Sequence, residues 1–133
     1  KMSTFATLEE ARAYFTGDRF AMNCGITIDE LDEDKCLCSM PVTAEIKNAA
    51  GGVMGGALFT LADFAFAVAS NNVHHTTVAQ QVSINFLSGT RGNRLFARAA
   101  CKKDGKTTCV YNIDITDDLG RDIAQFIGTG YKI

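Results

Sequence analysis

Residues 55–71 leave no polar face on a helix: Ala57, Leu58, Phe59, Leu61, Ala62, Phe64, Ala65, Phe66, Ala67, Val68 and Ala69 point apolar side chains in every direction. Such a helix must be enclosed, by lipid or by the rest of the protein. The run is short for a membrane span and contains a carboxylate, and the amphipathic segments around it would otherwise have nothing to cover. It therefore reads as the buried helix of a soluble domain, with no membrane partner.

The enclosing material is legible on both sides of the helix. Four strand-like runs follow it, at residues 76–87, 94–103, 106–116 and 121–132. In the third, Cys109, Tyr111, Ile113 and Ile115 alternate with Val110, Asn112, Asp114 and Thr116, the period of a strand with one buried face. Asp104-Gly105 reads as a short hairpin turn and Asp118-Leu119-Gly120 as a longer one, so the last three strands form a meander. Ahead of the helix, Ile26 and Ile28 alternate with Thr27 and Asp29, and residues 35–40 return across Glu33-Asp34 as a hairpin. Thr7 caps a helix over residues 8–15, with Glu10 in the capping-box position and Gly17 beyond its end. The order predicts an α+β fold in which an antiparallel β-sheet wraps one central apolar α-helix. A single domain spans residues 1–133, and residues 1–20 are its helical lead-in.

Charge and cysteine content narrow the function. A net charge of −2 with no basic stripe excludes nucleic acid as a partner. The cations Arg91, Arg94, Lys102, Lys103 and Lys106 suffice for a few phosphates. Cys24, Cys36, Cys38, Cys101 and Cys109 form no CxxC pair and have no adjacent His, so reduced thiols are expected and a zinc site is not. With no secretory pattern at the start, the expected location is cytoplasmic.

Asp63 is the only formally charged residue between Lys47 and Arg91, and it lies in the middle of the apolar helix. An unpaired carboxylate costs several kcal/mol to bury, roughly, so its place needs a reason. Two are open. Asp63 accepts hydrogen bonds from Thr60 or Ser70, or pairs with a distant lysine; or it faces a ligand cavity as general base toward water or nucleophile toward an acyl carbon. Gly51, Gly52, Gly55 and Gly56 also read two ways, as a tight loop with close packing or as an oxyanion hole of N–H groups at a helix N-terminus. At 1.5 Å rise per residue, Gly55 and Asp63 are about 12 Å apart. If both serve one reaction they come from different chains, which predicts a homodimer with two composite sites.

The stretch from Asn48 through Gly51, Gly52, Met54, Gly55, Gly56 and Leu61 to Asp63 resembles the signature N-x-x-G-x-x-H-G-G-x-x-x-x-L-x-D of the PaaI-like acyl-CoA thioesterases of the hotdog superfamily. The likeness continues through Ala69-Ser70-Asn71, residues 82–87 and Gly105-Lys106. It implies a hotdog fold and hydrolysis of an acyl-CoA, aryl- or phenylacetyl-CoA among the candidates, to free acid and CoA. It also implies no resident metal or cofactor, and dimers assembled into tetramers with sites at the subunit interface. Position by position, it makes Asp63 the catalytic carboxylate, Gly55 the backbone donor to the thioester carbonyl and Asn48 the side chain that orients water or substrate. Met54, Gly56 and Gln81 then line the substrate site, and Arg91, Lys103 and Lys106 are the candidates for the CoA phosphates.

Met54 departs from the signature, standing where many relatives carry His. A thioether donates no hydrogen bond and shuttles no proton. Either Asp63 and the Gly55 amide suffice, or the chain is slow, altered in substrate choice, or a non-catalytic acyl-CoA or small-acid binder. His74 and His75, beyond the helix, are expected in solvent. A hotdog hydratase ranks last, for want of an Asp and His pair at the required spacing.

Overall fold

The computed structural model describes residues 3–133. In chain order it contains α1 (Leu8–Phe15), α2 (Arg19–Asn23), β1 (Thr27–Asp32), β2 (Lys35–Pro41), a 3-10 turn (Ala44–Ile46), α3 (Gly55–Val73), β3 (Thr77–Phe86), β4 (Arg94–Asp104), β5 (Thr108–Asp117) and β6 (Asp122–Lys132). The strands form one antiparallel sheet in the order β1-β2-β4-β5-β6-β3, curled around α3. The meander of β4, β5 and β6 is as expected, and β3 closes the sheet by pairing with β6 rather than with its sequence neighbour β4.

The local signals account for most of this. Thr7 Oγ1 accepts the Glu10 amide at 3.1 Å and starts α1. Cys109, Tyr111, Ile113 and Ile115 are buried, as their alternation requires. They meet the fully buried Leu61, Ala65, Val68 and Ala69 of α3 in the core. β6 gives up two side chains to bring the helix close. A Cβ on Gly128 would stand 3.1 Å from the Phe66 ring, and one on Gly130 would stand 2.9 Å from it and 2.8 Å from Cys109 Sγ. Phe66 fills that space and meets Tyr111 edge-on, with ring centroids 5.7 Å apart.

Three details differ from the sequence reading. Helix α2 and the 3-10 turn carry too short a pattern to be read. The turn after β4 takes three residues, 105–107, with the Gly105 amide on the Thr108 carbonyl at 2.9 Å, instead of the two-residue turn that Asp104-Gly105 suggests. Most important, the chain does not enclose α3 completely. Gly56 and Phe59 are exposed, and Thr60, Asp63 and Ala67 half-exposed, along one helical stripe. The residues with apolar neighbours on every side in sequence are thus covered on only part of the circumference.

Candidate active site

The N-terminus of α3 is built by a loop that Asn48 organises. The Asn48 Oδ1 accepts the amides of Ala50 and Gly52 at 3.0 and 3.1 Å, and its own amide reaches the Gly52 carbonyl at 2.7 Å. Gly51 turns at φ +89°, where a side chain would be strained. The Met54 amide then bonds the Ile46 carbonyl at 2.8 Å, which aims the chain into the helix. Asn48 is therefore first a loop former. Its Oδ1 is occupied, and its side-chain NH2 has no partner among the described residues.

Met54 occupies the cap position with φ −64° and ψ 135° and contributes no side-chain cap. The N–H groups of Gly55 and Gly56 at the first turn consequently have no partner among the described residues, as a donor pair for an oxyanion requires. They open beside a groove of about 430 Å³. Gly55, Leu58, Phe86, Ser88, Gly89 and Thr90 are among the residues that line it. A Cβ at Gly55 would lie 3.1 Å from the Phe86 ring, a tight contact that a small shift of this exposed side chain relieves. Met54 is 55% exposed and stands at the entrance to the helix as an apolar side chain.

Asp63 is half-buried on the uncovered stripe, two turns along α3. Neither hydroxyl that the sequence offers it is engaged with it. Thr60 Oγ1 bonds the Gly56 carbonyl at 2.7 Å, and Ser70 Oγ is buried with no partner among the described residues. No lysine approaches it within ion-pair distance among the described residues. Burial first, and then the Asp18 carboxylate at the start of α2, push the Asp63 carboxyl above its ordinary pKa of 3.8. A desolvated carboxylate without donors is a stronger base than one in water.

The structure separates other residues that the sequence groups together. Arg91 precedes β4, while Lys103 and Lys106 lie at its far end, beside the Lys132–Asp104 ion pair. Eleven extended residues put these ends about 30 Å apart, so the three cations do not surround one phosphate cluster within a chain. Arg91 is the one near the Gly55 groove. Gln81 is exposed on β3, just past a bulge at Gln80. His75 is exposed, as expected, with its Nδ1 3.2 Å from Asn71 Oδ1, while His74 is half-exposed. The groove wall at residues 88–90 and the carboxylate behind it, Asp117, were not singled out by the sequence reading, because their link spans 27 residues.

The Thioesterase superfamily pattern matches residues 50–124 of this chain, from the Asn48 loop into β6. The acyl-coenzyme A thioesterase PaaI of Escherichia coli K12 is 37% identical over 126 residues, covering 94% of this chain and 90% of PaaI. The chain belongs to the thioesterase superfamily. Its similarity to PaaI extends to the fold, since the solved structure of E. coli PaaI superposes with a TM-score of 0.85 at 33% identity over 96% of both chains. A Staphylococcus aureus thioesterase, solved once with a glutamate and once with a glutamine replaced by alanine, superposes with TM-scores of 0.82 and 0.81. The identities are 26% and 27%, with 85% and 84% of this chain covered and 97% and 96% of those. A hypothetical thioesterase of Streptococcus pneumoniae, solved with coenzyme A, gives 0.81 at 26% identity over 88% of this chain and 94% of its own. This thioesterase is thus a PaaI-like hotdog protein and a thioester hydrolase, with Met54 as its departure from the family signature.

Proposed function

We propose that this thioesterase hydrolyses acyl-CoA as a homodimer, in two sites that each combine Gly55 of one copy with Asp63 of the other. The observation that carries this reading is Asp63 itself: a half-buried carboxylate, without a donor among the described residues, on the stripe of α3 that its own chain leaves open. In the proposed step Asp63 takes a proton from water as the water oxygen attacks the thioester carbon. The carbonyl oxygen becomes an oxyanion held by the Gly55 N–H. Collapse of that intermediate breaks the C–S bond, and the CoA thiolate receives a proton to leave as the thiol beside the free acid. Direct attack by the Asp63 carboxylate, giving an anhydride that water then opens, is the variant of the same site.

Two features support a second copy of the chain. The roughly 12 Å along α3 between Gly55 and Asp63 is too far for both to serve one carbonyl within a chain. The two sheet edges also differ in character. β1 carries Asp29, Glu30 and Asp32, charges that discourage pairing, whereas the ten residues of β3 carry none. Pairing at β3 would set two uncovered α3 stripes near each other. Assembly of such dimers into a tetramer follows the family resemblance.

The relatives add weight to the acyl-CoA reading. E. coli PaaI is an acyl-coenzyme A thioesterase and the S. pneumoniae protein holds coenzyme A. The glutamine and glutamate replaced in the S. aureus protein stand fifteen residues apart, the spacing of Asn48 and Asp63 here. Asn48 orients the substrate or water through its free amide, and Gly56, Met54 and Gln81 complete the walls. Thiol release from acetyl-, hexanoyl- and phenylacetyl-CoA is the test. Asp63→Asn should end turnover and leave CoA binding intact; an Asn variant as active as the wild type would refute the assignment. A wild type that binds CoA thioesters and cleaves none would establish a binding protein, the outcome that Met54 in place of His would favour.

A further inference from the structure

Asp117 is a second carboxylate out of place. It ends β5 on the face that Cys109, Tyr111, Ile113 and Ile115 turn to the core, and it is 3% exposed. Its two oxygens do different work. Oδ1 accepts the amides of Leu119 and Arg121 at 3.0 and 2.9 Å, which is all that the turn before β6 needs. Oδ2 accepts the Thr90 hydroxyl at 2.7 Å, from the connector between β3 and β4. Thr90 Oγ1 in turn accepts the Gly92 amide at 3.0 Å.

Residues 87–93 connect β3 to β4, and two of the seven are glycine, Gly89 and Gly92. A connector of that composition is mobile unless something ties it down. Its first end is held where the amides of Leu87 and Ser88 reach the Ile123 carbonyl at 2.8 and 3.3 Å. Its last is held where Asp118 Oδ1 accepts the Asn93 amide at 3.0 Å. Between these ends Thr90, which lines the same groove as Gly55, makes the short bond to Asp117, beside a longer one from Arg121 Nη1 to the Gly89 carbonyl at 3.4 Å and the Ser88 hydroxyl on the Asp122 carbonyl at 2.5 Å. The Thr90 hydroxyl, followed by the amides of Arg121, Leu119 and Arg91, holds the Asp117 carboxyl below its ordinary pKa of 3.8, so the acceptor stays ionised at neutral pH.

We propose that Asp117 and Thr90 are positioning residues for thioester binding, fixing residues 88–90 where they line the groove shared with Gly55, and with them the place of Arg91. The proposal rests on the reading of Gly55 given above. Neither residue touches the reacting atoms; they set the width of the channel through which the thioester reaches the donor.

Thr90→Val tests this with little change of volume, since it removes the hydroxyl and leaves both turn bonds of Asp117 in place. The readouts are kcat and KM for acetyl- and phenylacetyl-CoA, calorimetric binding of CoA, and thermal unfolding. A lost bond to a charged acceptor predicts that KM and the CoA dissociation constant rise about tenfold, with kcat changed less than about twofold. Thr90→Ser, which keeps the hydroxyl, should restore both. Wild-type KM in the valine variant would overturn the proposal. So would a joint fall of kcat and melting temperature that serine fails to rescue. If the wild type releases no thiol from any acyl-CoA, the functional reading is what fails, and the calorimetry alone decides the positioning role.

Discussion

Replacing Gly55 by proline removes the N–H proposed to hold the oxyanion and takes nothing else from α3. The first residue of a helix has no intrahelical acceptor for its amide, and proline is favoured there. Proline also restricts the residue before it to extended backbone, and Met54 already lies at φ −64° and ψ 135°. The new Cβ would stand 3.1 Å from the Phe86 ring, but Phe86 is 56% exposed and free to move aside. Gly55→Ala brings the same Cβ and keeps the N–H, so the ratio of the two variants isolates the donor. Loss of one oxyanion donor costs about 10²–10³ in kcat, roughly 2.7–4 kcal/mol of transition-state stabilisation. Initial rates of thiol release at saturating acyl-CoA measure it, with circular dichroism to show that the helix is retained. A proline variant whose kcat lies within about threefold of the alanine variant would refute the role of the Gly55 amide.

Four further outcomes follow from the structure. Because burial raises the Asp63 carboxyl, the folded state holds its proton more tightly than the unfolded chain. Stability is therefore lost as pH rises from the ordinary value of 3.8 through the folded value, and Asp63→Asn should melt higher than wild type at pH 7 and gain nothing at pH 3. The acid limb of kcat/KM should fall above the ordinary carboxylate range for the same reason. Lysines at the exposed Ser83 and Asn85 of β3 would oppose each other across a β3–β3 pair, shifting the monomer–dimer midpoint about tenfold or more toward monomer by light scattering. Gly130→Ala puts a methyl group 2.8 Å from Cys109 Sγ and Thr77 Cγ2 and 2.9 Å from Phe66, and should cost about 1–3 kcal/mol in urea unfolding.

The elements that the sequence discloses are those whose reasons are local. Thr7 and Glu10 start a helix within four residues, and Cys109 to Ile115 show their buried face in a single strand. Asp63 stands out because its neighbours in sequence are apolar. What escapes is set across the fold. The pairing of β3 with β6 depends on curvature that no local pattern encodes, and the bare stripe beside Asp63 depends on how far the sheet curls. Thr90 and Asp117 look like ordinary loop and turn residues until the sheet brings them to 2.7 Å. Asn48 was legible as part of a signature, whereas its work in holding the 48–52 loop needed coordinates.

The central claim is that Gly55 and Asp63 act together only across two copies of the chain, and mixing two dead variants tests it. Asp63→Asn and Gly55→Pro chains, carrying different affinity tags, are co-expressed and the mixed dimer is purified through both tags. If sites are composite, one site of the mixed dimer holds an intact Gly55 and an intact Asp63 and the other holds both defects. Turnover should then return to half the wild-type rate per dimer. A mixed dimer as inactive as its parents would contradict the claim, placing both groups of each site in one chain.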